Sequence, residues 1–155
     1  MAVRYFALTI GLIYTAAGIL GFIPALVATP QETPAYMATV GVTTGFGYLL
    51  GLFPVNIVHN IVHLTFGIFG IAAYAINERV SRLFSDTLAV WFGLLGVLGL
   101  IPVANTVFGI MPAFGNDVWL HLGTAAVAAY FGFFRDSGYL FSDPQQAEQF
   151  EKSSN

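Results

Sequence analysis

Four uncharged, apolar runs divide this chain, at about residues 5–27, 54–76, 87–103 and 118–134. Each reaches or approaches the ~20 helical residues needed to cross a hydrocarbon core. The five basic residues fall at alternate connections: Arg4 before the first run, Arg79 and Arg82 between the second and third, Arg135 and Lys152 after the fourth. The segments between, 28–53 and 104–117, hold no Lys or Arg. By the positive-inside rule, both termini are expected in the cytoplasm and these two loops outside. Composition agrees with a lipid solvent. Only 8% of the 155 residues are charged and 57% are hydrophobic, against about 25% charged in a soluble domain. That excludes a soluble globular enzyme. The expected fold is an all-α, four-helix transmembrane bundle over residues 1–135, multi-pass in the cell (inner) membrane, followed by a polar cytoplasmic tail at 136–155. The first run is read as a retained helix, because it is longer than a signal-peptide core and residues 26–28 make a poor cleavage site.

Further function classes drop out on simple grounds. A net charge of -3 with no basic cluster gives no footprint for nucleic acid. With no Cys in the chain, disulfides, thiolate chemistry and iron-sulfur clusters are excluded, so any metal must be held by His or carboxylate.

The chain also repeats itself. Gly18-Ile-Leu-Gly-Phe-Ile-Pro24 near the end of the first run recurs as Gly96-Val-Leu-Gly-Leu-Ile-Pro102 near the end of the third. Gly51-Leu-Phe-Pro54 leads into the second run as Gly109-Ile-Met-Pro112 leads toward the fourth, and nine residues after each Pro stands His63 or His121, each followed by Leu. Two copies of one helical hairpin, both beginning inside, imply parallel repeats about an axis along the membrane normal. This alignment pairs His59 with Asp117. The outer loop of the first copy is longer, and its Gly-rich part, residues 41–51, suggests a short interfacial or re-entrant piece.

Asn56, His59, Asn60 and His63 share one face of a 3.6-residue helix, continued inward by Gly67, Gly70 and Tyr74. On the fourth run Asp117, His121, Thr124, Ala125, Ala128 and Gly132 form the matching face. Polar side chains facing lipid are costly, so both stripes should point into the bundle, in its outer half. Three roles compete for them. The first is interhelical hydrogen bonding in a non-enzymatic structural or accessory protein of a homo-oligomer or larger membrane assembly. The second is coordination: His59, His63, Asp117 and His121 suit Zn, Fe or Mn, and His63 opposite His121 suits axial ligation of a haem or other tetrapyrrole. The third is an oligomeric transporter or proton relay. No catalytic motif appears, since His59-Asn60-x-x-His63 lacks the carboxylate that a metalloprotease helix places beside its first His. Asn116-Asp117 reads as a helix N-cap, the glycines at 11, 18, 21, 93, 96 and 99 as close-packing contacts, and Trp91 and Trp119 as interfacial anchors near span ends.

Three segments together carry a family resemblance: Gly51-Leu-Phe-Pro-Val-Asn56-Ile-Val-His59-Asn60-Ile-Val-His63-Leu, the stretch from Leu98 through Pro102 and Asn105 to Gly109, and Gly115-Asn-Asp117-Val-Trp-Leu-His121-Leu. The chain resembles, over about residues 4–134, a bacterial family of four-span membrane proteins catalogued as a domain of unknown function. The resemblance implies an integral bacterial membrane protein, supplies no activity, and marks Asn56, His59, Asn60, His63, Asn105, Asp117 and His121 as the recurrent polar positions. This chain departs from it in the first outer loop, where Gly47 stands in place of an Asn matching Asn105.

Overall fold

The computed structural model describes residues 1–30 and 45–134. Its helices are α1 (Ala2–Leu20), α2 (Ile57–Ile76), α3 (Glu78–Gly99) and α4 (Asn116–Ala129), the last continued by a π-helical turn, Tyr130–Phe134. Among the described residues, α1, α2 and α3 are long and apolar enough to cross a membrane. The tail at 136–155 and residues 41–44 of the loop between the first two runs, expected to face outward and called the first outer loop for that reason, lie outside the described residues.

Helix ends follow local chemistry more closely than the hydropathy of the runs does. Helix α1 stops at Leu20, well short of residue 27, because Pro24 opens a separate 3-10 turn. Helix α3 starts nine residues earlier than its apolar run. The Asn77 side chain accepts the Val80 N–H at 2.9 Å and caps it, so Glu78, Arg79 and Arg82 occupy its first turns. It ends at Gly99, three residues before Pro102. Trp91 therefore sits in the middle of α3, half exposed, and not at a span end.

A second departure from expectation is a small antiparallel sheet in the first outer loop, in the order β1 (Val27–Ala28), β2 (Gly47–Leu49) and β3 (Phe53–Val55). Leu50, Gly51 and Leu52 join β2 to β3, the first two with φ of 53° and 72°. Two successive left-handed residues followed by a third make a tight three-residue hairpin connection. The described part of the segment expected to be re-entrant, residues 45–51, is thus mostly hairpin.

Helix α1 packs chiefly along α2, and α3 along α4. Small residues allow the approach. A Cβ added to Gly18 would stand 2.8 Å from Leu64 N and 2.9 Å from Asn60 O, and one at Gly96 would stand 2.6 Å from the Leu122 side chain. The two hairpins meet through a core of Phe6, Tyr14, Phe84, Leu88 and Phe92 with Ala7, Ala73, Ala125 and Ala128. At the end opposite the outer loops, the Arg4 guanidinium donates to Tyr74 O at 2.7 and 3.1 Å, a cation capping the C-terminus of α2. Arg79 and Arg82 open α3 at this same end.

Candidate metal centre

Asn56 sets the register of the site. Extended at φ -144°, it caps α2 by accepting the His59 N–H at 2.8 Å, and its Nδ2 donates to Ile110 O at 2.9 Å. One turn on, Asn60 Nδ2 donates to Gly21 O at 2.7 Å. These two amides tie α2 to the second outer loop and to the end of α1.

His59 and His63, four residues apart on α2, meet His121 of α4 in the interior. All three are at most 4% exposed, and one ring nitrogen from each lies within 4.8 Å of the others. His59 Nδ1 lies 2.8 Å from Pro112 O. A carbonyl only accepts, so this nitrogen carries the proton, and His59 Nε2 presents a lone pair to the interior. His63 Nε2, 3.0 Å away, then donates to it. That assignment leaves His63 Nδ1 as a lone pair, and it has no partner. His121 stacks near-parallel to His59 with ring centroids 6.0 Å apart, and its Nδ1 is also buried without a partner.

Asp117 is fully buried at the start of α4. Its Oδ2 lies 3.6 Å from His59 Nδ1, beyond hydrogen-bond reach, and neither carboxylate oxygen is hydrogen-bonded. It is not the helix cap that the sequence suggests. Gly115, at φ 65°, holds the cap position, and Asp117 lies inside the first turn with its side chain turned toward the histidines. A helix N-terminus favours a carboxylate there. Asn105 belongs to the second outer loop, where its backbone carbonyl accepts the Ala113 N–H at 2.8 Å and its buried Oδ1 has no partner.

Aromatic rings wall the cluster. Tyr14 packs edge-on to His63 and Phe92 edge-on to His121, each with centroids 5.0 Å apart, and Tyr14 and Phe92 touch each other at 4.9 Å. The Tyr14 hydroxyl shares a 2.9 Å hydrogen bond with Thr124 Oγ1. Thr124 was legible in the polar stripe, but Tyr14, Phe92 and the Pro112 carbonyl were not. A signal for Tyr14 did exist, because Gly11, Tyr14 and Gly18 recur at helical spacing and place a large ring on the one face of α1 otherwise built for close approach.

Chemically, the site holds three imidazoles with one ring nitrogen from each close together, beside a carboxylate with no hydrogen bond. The spacing fits coordination. With His63 protonated at Nδ1 instead, the two Nε2 atoms at 3.0 Å approximate the edge of about 3.3 Å in a tetrahedron with Zn–N bonds of about 2.0–2.1 Å. His59 is oriented as metal-bound imidazoles are, with its outer N–H fixed by a carbonyl and a carboxylate behind it. A family model described as a domain of unknown function (DUF4383) matches residues 4–134. No curated protein matches the chain, and no solved structure does.

Proposed function

We propose, for a chain that belongs to the family described as a domain of unknown function (DUF4383), that it binds a transition-metal ion inside a four-span bundle of the bacterial cell membrane. In this reading α1, α2, α3 and α4 with its π turn each cross the bilayer, both termini are cytoplasmic, and the ion lies toward the outer face. Arg4, Arg79 and Arg82 at one end of the bundle support that orientation. Matched packing supports its origin as a duplicated hairpin: Gly18 meets Leu64 as Gly96 meets Leu122, and Gly21 meets Asn60 as Gly99 meets Val118.

The observation that carries the proposal is the convergence of His59, His63 and His121, with Nδ1 of His63 and of His121 unpartnered, next to the buried Asp117. A buried carboxylate without hydrogen bonds is costly unless a cation stands near it. An ion held by three imidazoles, with Asp117 as fourth ligand or as the group orienting His59, answers both deficits. Nitrogen and carboxylate donors select Zn²⁺, Fe²⁺ or Mn²⁺. A bare ion is favoured over a haem, because Tyr14, Phe92 and His59 fill the space that a macrocycle between His63 and His121 would need.

Helix pairing stands as a second reading for the satisfied part of the layer, Asn56, Asn60 and Tyr14 with Thr124, whose hydrogen bonds join separate elements. The test is metal analysis of detergent-purified protein expressed with zinc, iron and manganese, wild type beside His63→Ala. About one ion per chain, lost in the variant, is the expected result. A metal-free wild type whose variant is merely less stable would leave pairing as the account of the histidines too.

A further inference from the structure

The second outer loop, residues 100–115, joins α3 to α4 and contains no charged residue. Its side chains behave unlike those of a solvated loop. Val103 is 86% exposed and Phe108 78%, and Leu100, Ile101 and Ile110 are also exposed. Eight of its fourteen backbone N–H groups, by contrast, are bonded within the loop or to the end of α3. The N–H groups of Leu100, Ile101, Ala104, Val107, Gly109, Ile110, Met111 and Ala113 are bonded to carbonyls of residues 97–107. Holding that shape puts Val107 and Phe108 in the left-handed region, at φ 47° and 56°, where a β-branched residue is rare.

Apolar side chains turned outward over an internally bonded backbone are what a hydrocarbon solvent demands of a non-helical segment, because lipid offers no partner for a free N–H. Helix length gives an independent reason. From Thr87, the first residue past Asp86, to Gly99, α3 rises only about 20 Å, and residues 118–134 rise about 25 Å. A hydrocarbon core is about 30 Å thick. With the charged stretch of α3, which ends at Asp86, at the inner headgroups, the second hairpin falls about 5–10 Å short at the outer side, and residues 100–110 are the ones placed to cover that depth.

We infer that residues 100–110 form a lipid-immersed cap, with Val103, Phe108 and Ile110 inserted among the acyl chains of the outer leaflet just below the headgroups. The inference rests on the membrane-crossing part of the proposal above and is independent of the metal. The cap completes the second hairpin as a spanning unit and closes the bundle above the histidines through the Asn56 bond to Ile110 O.

Depth-dependent fluorescence quenching tests it in phosphatidylcholine vesicles containing lipids brominated at shallow or deep acyl positions. In a Trp91→Phe, Trp119→Phe background, Phe108→Trp places a single indole on the cap, and Val103→Trp provides a second site should the first disturb folding. Shallow bromines should quench the introduced indole several-fold more than deep ones, with little quenching by aqueous iodide. Strong iodide quenching without bromine quenching would overturn the cap, and so would shielding from both that accompanies a concentration-dependent dimer, which would mark a contact between copies. Trp91 alone, in Trp119→Phe protein, reports the premise separately. If deep bromines quench Trp91 but neither reaches the cap, the cap fails while the spanning bundle stands; if Trp91 itself escapes them, the spanning bundle fails.

Discussion

Aligned on Gly18 with Gly96 and on His63 with His121, the two hairpins match in packing and differ in chemistry at a few positions. Tyr14 of the first occupies the place of Phe92 in the second, and the two rings touch. Each packs edge-on to the histidine of its own hairpin at the same 5.0 Å. The alignment then pairs Thr124, which bonds the Tyr14 hydroxyl, with Phe66, which packs on Phe92 with centroids 5.1 Å apart. His59 corresponds to Asp117, and these two approach each other at 3.6 Å. The aligned positions bring His63 and His121 together edge-on, with ring centroids 6.3 Å apart, while the flanking pair supplies a third imidazole on one side and a carboxylate on the other. Matched positions carry the packing and two of the imidazoles, and the unmatched pair, His59 and Asp117, adds the rest of the site's chemistry.

The strongest way to break that comparison is to remove the equivalent ligands one at a time. His63→Ala and His121→Ala should each abolish stoichiometric metal, whereas Asp117→Asn, which alters the diverged partner, should weaken affinity by roughly 10–100-fold if it acts by orienting His59. Competition with a metal-sensitive dye separates loss from weakening. Retention of the ion by either alanine variant would remove that histidine from the site.

Next in size is the packing seam, where the match is imperfect. At Gly18 an added methyl meets backbone on α2, which cannot give way, but at Gly96 it meets mainly the movable Leu122 side chain. Gly18→Ala should therefore cost about 2–3 kcal/mol and Gly96→Ala about 1 kcal/mol, read from unfolding in mixed detergent micelles. Equal losses would show that the two seams are interchangeable.

Exchanging the aromatic pair sharpens the point further. Phe92→Tyr adds a hydroxyl beside Phe66, where no acceptor stands opposite it, and should destabilise by about 1–2 kcal/mol. Tyr14→Phe makes the two cores alike and removes a single interhelical hydrogen bond, a loss of about 0.6 kcal/mol within a membrane bundle. A larger loss for Tyr14→Phe than for Phe92→Tyr would mean that the Tyr14–Thr124 bond, and not the packed rings, joins the hairpins.

Much of the framework was legible because each feature rests on a local pattern. Hydrophobic run length located the helices, although the first and third runs continue past Pro24 and Pro102, before which α1 and α3 have ended, and helical spacing put Asn56, His59, Asn60 and His63 on one inward face. The errors arose where a local pattern met something it does not encode. Asn116-Asp117 looks like a cap, yet Gly115 takes that role because the approach of the second outer loop leaves Asp117 facing His59. The apolar run beginning near residue 87 hid nine earlier helical residues, because hydropathy registers Glu78, Arg79, Arg82 and Asp86 as breaks while the Asn77 cap and the helix do not. The sheet in the first outer loop was missed because strands of two or three residues are too short to show an alternating pattern.

What the sequence determined by itself is the solvent and the faces: apolar runs require lipid, and 3.6-residue spacing sorts polar from apolar sides before any helix meets another. Only the tertiary structure decided which groups share the interior. His121 lies 58 residues beyond His63, the Pro112 carbonyl 53 beyond His59, and Thr124 110 beyond Tyr14. Their convergence follows from how closely Gly18 and Gly96 let the paired helices approach and from the turn at which each outer loop returns the chain. Such distances belong to packing and loop closure, which no local window of sequence contains.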